Sequence, residues 1–356
     1  MKFVHIADMH FDTSFTQLNN NDLGRIRRLE QRKIFEKIIQ YIKNNQIDYF
    51  FISGDFYEHK FIRETTIEYI NNLFKEIENT KLFISPGNHD PYLKNSFYNK
   101  FNWNKNVHIF NSQIYCVEDD NSIIYGYGFD DFYYTNSEIE NLQLTNKNKI
   151  NILITHATLN GTNNIERQYN AISKATLEKI GFDYVALGHI HKTIINESNR
   201  IIYPGSTIAM GFDELGPHGM IVGEISKNAV NTEFIPLDET EFKIINVDVT
   251  EINSLDDLAQ TLNNIELEKQ NLYEIYLIGK RKFEIDKYNL KKILTSENII
   301  KIKDLTKINY NIEEIAKDNT LKGLFVQEII NKMKESNADL ELLELTLEIG
   351  LEILEK

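Results

Sequence analysis

Within the first 190 residues, five short runs rich in Val, Ile, Leu, Phe and Tyr each stop at a cluster of Asp, His, Asn or Gly. The runs occupy residues 2–7, 48–53, 81–85, 150–155 and 183–187. They are followed in turn by Asp8-Met9-His10, Gly54-Asp55, Gly87-Asn88-His89-Asp90, His156 and Gly188-His189-Ile190-His191. Runs of this kind read as strands. Between them, 25–44 and 63–77 carry apolar residues at helical spacing (Ile34, Ile38 and Ile42; Ile67, Ile70 and Phe74). Strands alternating with helices build an α/β sheet, which receives ligands beyond the carboxyl ends of its strands. The five clusters are therefore expected to converge. Six of the nine histidines lie in or beside them.

The donors so assembled are Asp8, His10, Asp55, Asn88, His156, His189 and His191. Imidazole mixed with oxygen, without thiolate, suits Mn, Fe or Zn and is too rich in nitrogen for Ca or Mg. With one centrally placed aspartate, seven donors divide into two sites that share Asp55. Asp8, His10, Asp55 and His191 make one, and Asp55, Asn88, His156 and His189 the other. Two divalent ions ~3.5–4 Å apart activate water and clamp a phosphoryl group. His89 is left over, with the expected role of stabilising charge or protonating a leaving oxygen while Asp90 orients its ring. Any one of these clusters alone reads as a turn or a satisfied core histidine.

Taken in order, the five motifs resemble the signature of calcineurin-like metallophosphoesterases. The resemblance implies a four-layer α-β-β-α sandwich and hydrolysis of phosphate esters. Tyr203-Pro204-Gly205-Ser206, Phe212-Asp213-Glu214 and Gly219-Met220-Ile221-Val222 further resemble segments of the SbcD/YhaO-type DNA repair exonucleases. That resemblance implies a manganese-dependent nuclease acting on DNA. Its implied partner is an SMC-like, SbcC-type ATPase docked through C-terminal helices, and relatives often form homodimers. Three residues past Asp55, where some relatives carry a histidine, this chain has Glu58, nearer to bacterial members. His59 is not given that role, and Asp12 stands where glycine is common.

Candidate DNA contacts are Arg25 and Arg28, in a basic cluster with Arg27, Arg32 and Lys33, together with Glu58. Such a cluster also reads as a solvated helix face. Tyr57, Phe61 and Tyr92 flank the metal loops, where they either stack on bases or simply pack. The net charge is −14, with −5 over residues 1–236 and −9 over 237–356. This excludes nucleic-acid affinity by bulk charge and leaves local phosphate binding open.

Further runs at 107–110, 114–117, 123–127, 200–203 and 219–225 are expected to be antiparallel strands of a second sheet. Residues 1–240 form the expected phosphoesterase domain, 241–308 a small α/β capping domain and 309–356 a helical segment. The last helix places Glu341, Glu344, Glu348, Glu352 and Glu355 on a narrow stripe, with Leu and Ile over the remaining circumference. Its expected burial is therefore on more than one side. A lone cysteine, Cys116, excludes an internal disulfide framework and a zinc–thiolate cluster. No apolar run is long enough to span a membrane, and the N-terminus does not read as a secretory signal, so the cytoplasm is expected. Two other functions compete: a small-molecule phosphatase or cyclic-nucleotide phosphodiesterase on the same core, and a non-catalytic scaffold.

Overall fold

Alternation along the strands decides how the layers stack. In Lys2–Ile6 (β1) and Tyr49–Ile52 (β2), Phe3, Tyr49 and Phe51 point to one face while Val4, Ile6, Phe50 and Ile52 point to the other. Both faces are apolar, so both must be covered. A computed structural model describes residues 1–18, 20–133, 138–159, 169–196, 198–227 and 229–354.

The chain continues through Lys81–Ile84 (β3), Val107–Ile109 (β4), Tyr115–Glu118 (β5), Ser122–Gly126 (β6), Ile150–His156 (β7) and Tyr184–Gly188 (β8). Ile194–Ile195 (β9), Ile201–Tyr203 (β10), Gly219–Ile225 (β11) and Val230–Pro236 (β12) follow. These form two six-stranded sheets, ordered β12-β11-β1-β2-β3-β4 and β5-β6-β7-β8-β10-β9. Their inner faces meet in an apolar layer that includes Phe3, Phe51, Phe83, Ile152, Ile154, Tyr184 and Ile202. Asn21–Asn45 (α1) and Glu64–Glu76 (α2) supply Ile34, Ile38, Ile67, Ile70 and Phe74 to the buried apolar set. Phe35 and Phe74 pack edge-on at 6.0 Å. Lys174–Ile180 (α4, after the short Phe97–Lys100, α3) packs Leu177 with Leu153, Val185 and Leu187 of the second sheet. Among the described residues the core is thus a mixed α/β sandwich of two sheets with helices packed on them.

Helix ends are set locally. Asn20 caps α1 by accepting from Asp22 N and Leu23 N, and Gln46 closes it in the left-handed region.

The expected second sheet needs correction. The five strands that precede the expected ligands are split, β1 to β3 in one sheet and β7 and β8 in the other. Residues 107–109 add parallel to β3, and 219–225 return antiparallel beside β1. Residues 123–126 and 201–202 pair parallel with β7 and β8. Strand propensity is a property of the run itself. Its neighbour is chosen by the crossover that precedes it.

The chain divides into two compact units, 1–243 with 268–272, and 244–267 with 273–356. Residues 309–356, set apart in the sequence reading, fall in one unit with most of 241–308. The second unit takes its sheet from Phe242–Asp248 (β13), Leu272–Ile278 (β14) and, unanticipated, Ile299–Asp304 (β16). Lys280–Arg281 (β15) pairs with Lys307–Ile308 (β17). Leu255–Asn263 (α5) and Lys287–Ile293 (α6) cover the sheet with Leu258, Leu262 and Leu290.

Ile312–Ile315 (α7), Leu321–Met333 (α8) and Leu340–Leu354 (α9) complete the unit. In α9, Leu351 is buried and a side chain at Gly350 would overlap the Phe325 ring of α8. Leu342, Leu345, Ile349 and Ile353 are 47–64% exposed. Among the described residues burial on more than one side is therefore not found, because α8 covers a single face. Glu355 lies outside the described residues. Among those described, no helix is long and apolar enough to cross a membrane.

Candidate metal centre

The loops after β1 and β2 are zipped together, with Asp8 N donating to Gly54 O (3.0 Å) and His10 N to Asp55 O (2.9 Å). Gln31 of α1 donates to the Met9 and His10 carbonyls (2.5 and 3.1 Å). Asp8, His10, Asp55 and His189 all have positive φ (50°, 49°, 50° and 102°). Side-chain-bearing residues rarely adopt this region, at ~1–3 kcal/mol each, and such strain gathers at functional sites. Gly54 also has positive φ, and a side chain there would collide with the His156 ring.

All seven expected donors come together. The Nε2 atoms of His10 and His191 are 3.3 Å apart. Asp55 Oδ2 lies 3.7 Å from His10 Nε2 and 3.3 Å from His156 Nε2, so one carboxylate oxygen faces both halves. Its other oxygen accepts from His89 N (2.8 Å). Asn88 Oδ1 is 3.0 Å from His156 Nε2, and Asp8 Oδ1 is 3.9 Å from His191 Nε2. His189 donates its backbone N–H to both Asp8 oxygens (3.1 Å each), and its ring centroid is 5.1 Å from that of His156. Among the described residues three triads, Asp8–His10–His191, Asp8–Asp55–His156 and His10–Glu58–His89, have the spacing of metal ligands; the first two draw only on the expected donors.

The opposite ring nitrogens show why cations fit. His10 Nδ1 meets Glu58 Oε1 (2.7 Å), His191 Nδ1 meets Glu214 Oε1 (2.6 Å), and His156 Nδ1 meets the Ser53 carbonyl (3.0 Å). Each partner only accepts, so each Nδ1 carries a proton and Nε2 is the nitrogen turned inward, where a cation would displace its proton and take the lone pair. Three imidazole nitrogens, two carboxylates and an amide oxygen then face the same space between the loops. That donor set matches a pair of divalent cations.

Electrostatics agree. Burial opposes charge on His156 and His191. Asp55 outweighs it for the first, and Glu214 with Asp8 for the second, pushing both pKa values up to about 9. Burial and the neighbouring His156 take His189 down to about 3, keeping that ring neutral. Burial would raise Glu58, but His10 and His89 outweigh it and hold the carboxyl at about 2. Protons are what these rings attract where cations would bind.

Residues 1–193 match the Calcineurin-like phosphoesterase family. The chain is a calcineurin-like phosphoesterase. Family membership makes it a phosphoester hydrolase of a kind that uses a binuclear metal centre, in keeping with the triads. The phosphoesterase is 24% identical to the uncharacterized metallophosphoesterase YhaO of Bacillus subtilis over 279 residues, covering 74% of this chain and 67% of that protein. It is 28% identical to the D component of nuclease SbcCD from Staphylococcus saprophyticus over 267 residues (67% and 69% covered). To the corresponding SbcCD component of Staphylococcus epidermidis it is 29% identical over 291 residues (71% and 74% covered).

Other candidate residues of the phosphoesterase divide. His89 is exposed, and its Nδ1 lies 3.0 Å from Glu58 Oε2. Burial of the ring is outweighed by Glu58 and Asp55, which push its pKa up to about 9. Asp90 does not orient it. That carboxylate is buried and accepts from Asp55 N, Phe56 N, Gly87 N and Tyr98 OH, so it shapes the loops instead. Burial and Asp55 raise it to about 6. Glu58 is the residue that holds His89, and it grips His10 at the same time. Tyr57 is fully buried against Tyr98 and presents no face to a base, because Phe11 and Tyr57 bridge the two zipped loops. Tyr92 is half-buried, while Phe61 is 46% exposed. Arg25 is exposed and Arg28 half-buried, but Arg27 is buried on Asp238 and the Ala209 carbonyl.

Glu214 and Gln31 escaped the sequence reading as parts of the site. The Phe212-Asp213-Glu214 segment was the one available signal for the former. Behind the centre, buried His5 bridges Tyr184 OH (2.9 Å) and Ser53 Oγ (3.0 Å), and Ser53 Oγ donates to the Ala186 carbonyl (3.1 Å). Nothing in the sequence singles out this link between the sheets.

Proposed function

We propose that the chain is an SbcD-like DNA nuclease that hydrolyses phosphodiesters with two divalent cations, manganese by preference. Asp8, His10, Asp55 and His191 hold one cation, and Asp55, Asn88, His156 and His189 the other. The observation that carries this reading is Asp55 Oδ2 facing His10 and His156 at once. When bound, such a pair supplies a nucleophile from water at neutral pH and clamps the phosphoryl oxygens. The chain's own groups do the rest. Glu58 fixes the rings of His10 and His89 together. His89, protonated and exposed at the mouth, donates a proton to the departing oxygen. DNA as substrate is supported by the likeness to proteins named as components of nuclease SbcCD.

The purified chain, in Mn²⁺ and Mg²⁺ separately, is to be given labelled duplex DNA, single-stranded DNA and p-nitrophenyl esters. Cleavage of DNA in Mn²⁺ is expected. Cleavage of the small esters alone would overturn the nuclease reading. That second reading, a small-molecule phosphoesterase, draws on a mostly apolar cavity of about 570 Å³ that reaches His189, His191 and Phe234.

For a partner, the exposed Leu342–Leu345–Ile349–Ile353 stripe of α9 supports docking to an SMC-like ATPase. Deleting 311–356 should abolish co-purification and spare hydrolysis. Retained co-purification would refute this docking role.

A further inference from the structure

The first turns of α1 carry four arginines, and helix geometry sorts them. Arg25, Arg28 and Arg32 fall at i, i+3 and i+7, on one face, whereas Arg27 turns inward to Asp238 and Glu30. The outward three, joined by Arg63, line a cavity of about 480 Å³ whose other walls include Asp12 and Phe61. Asp12 is the one carboxylate in that wall, and both its oxygens are committed. Oδ1 takes Arg32 Nη2 (3.2 Å), and Oδ2 takes Thr66 Oγ1 (2.7 Å) and Arg63 N (3.2 Å). Arg32 also reaches Thr66 Oγ1 (3.1 Å) and lies over the Tyr69 ring. One wall of the cavity is therefore held rigid. Arg28 has only a 3.5 Å approach to the Thr13 carbonyl. Among the described residues, no carboxylate pairs with Arg25, Arg28 or the Arg63 side chain.

A concave site with four guanidinium groups and a single carboxylate is matched to an anion. Its place in the chain says which. Asp12 is two residues beyond the ligand His10, a span of at most ~7 Å, and Phe61 is three beyond Glu58. Phe61 is half exposed at the rim.

We infer that this cavity holds a backbone phosphate of the strand being cut, about one nucleotide from the bond that breaks, with Phe61 against the neighbouring sugar or base. The inference rests on the nuclease reading and adds a path: the strand leaves the metal centre on the His10–Glu58 side, along α1. Guanidinium contacts to phosphate position a strand without reading its sequence.

The test compares the full chain with the Arg25→Ala/Arg28→Ala double variant in Mn²⁺. KM for a labelled oligonucleotide is measured at several salt concentrations, with metal content and melting temperature as checks on folding. The double variant should raise KM at least about ten-fold and lower the slope of log KM against log salt by about 1, as for one lost phosphate contact. It should retain the metal content of the parent. An unchanged KM and salt slope would overturn the inference while the nuclease reading stands. A parent chain that hydrolyses p-nitrophenyl esters and leaves the oligonucleotide whole would overturn both. If the double variant has lost its metal or its fold, Arg25→Lys and Arg63→Ala replace it, and the same changes in KM and salt slope decide.

Discussion

The two halves of the metal centre use similar donors on unequal supports. In one half, His10 and His191 each give their Nδ1 proton to a carboxylate, Glu58 and Glu214. In the other, His156 gives its proton to the uncharged Ser53 carbonyl, and Asn88 contributes a neutral amide oxygen. An imidazole backed by a carboxylate is the more basic ligand and is held at a fixed angle. In the proposed centre the half containing Asp8, His10 and His191 is therefore expected to retain its cation more tightly, and the half containing Asn88, His156 and His189 to exchange it more easily. Asp55, reaching into both, couples them.

That comparison breaks most completely at the shared residue. Asp55→Asn should leave at most one cation per chain and lower hydrolysis about a thousand-fold or more, since several kcal/mol of charge stabilisation go with the pair. Metal analysis beside a p-nitrophenyl assay measures both, and two retained cations would count against sharing. His89→Ala is next. It should cut turnover by ~10²–10⁴-fold with both cations still present, because His89 touches Glu58 and is not among the proposed ligands. Loss of a cation in this variant would move His89 into the ligand set.

The supports themselves come third. Glu214→Gln should weaken the tighter cation ~10–100-fold, as read by calorimetric titration, and leave the looser one near its original affinity. Asn88→Ala should do the reverse. Equal effects on both affinities in either variant would erase the distinction between the halves.

The smallest effect concerns His5, behind Ser53. Burial lowers its pKa to about 3, so it is neutral when folded and titrates near 6.5 when unfolded. The unfolded chain therefore takes up the proton first. The stability due to neutral His5 is complete above pH 6.5 and is lost as pH falls from there towards 3, at up to ~1.4 kcal/mol per pH unit. In denaturant titrations at pH 7 and 5.5, His5→Gln should show a shallower decline than the parent. An equal decline would remove His5 from the account.

Much of this centre is legible in the sequence because its ligands are local. Asp8 and His10 stand two residues apart, as do His189 and His191, and each set follows a run that can only be a buried strand. The supports are not local. Glu58 reaches His10 across 48 residues and Glu214 reaches His191 across 23, contacts made by loops meeting in space. For the same reason adjacency assigns to Asp90 the ring that Glu58 holds: nearness in sequence says little about which way a carboxylate turns inside a zipped loop. Strand pairing fails likewise, since 107–109 and 219–225 are strands by composition and gain their neighbours from the crossovers. The α9 helix shows the opposite error. Its pattern of leucines demands cover, and among the described residues α8 covers only one face.

Titration of the metal-free full chain with Mn²⁺, followed by calorimetry and elemental analysis, is the most direct trial of the shared-carboxylate centre. The account predicts two cations per chain, bound with distinct affinities. A single cation, or none, would contradict it.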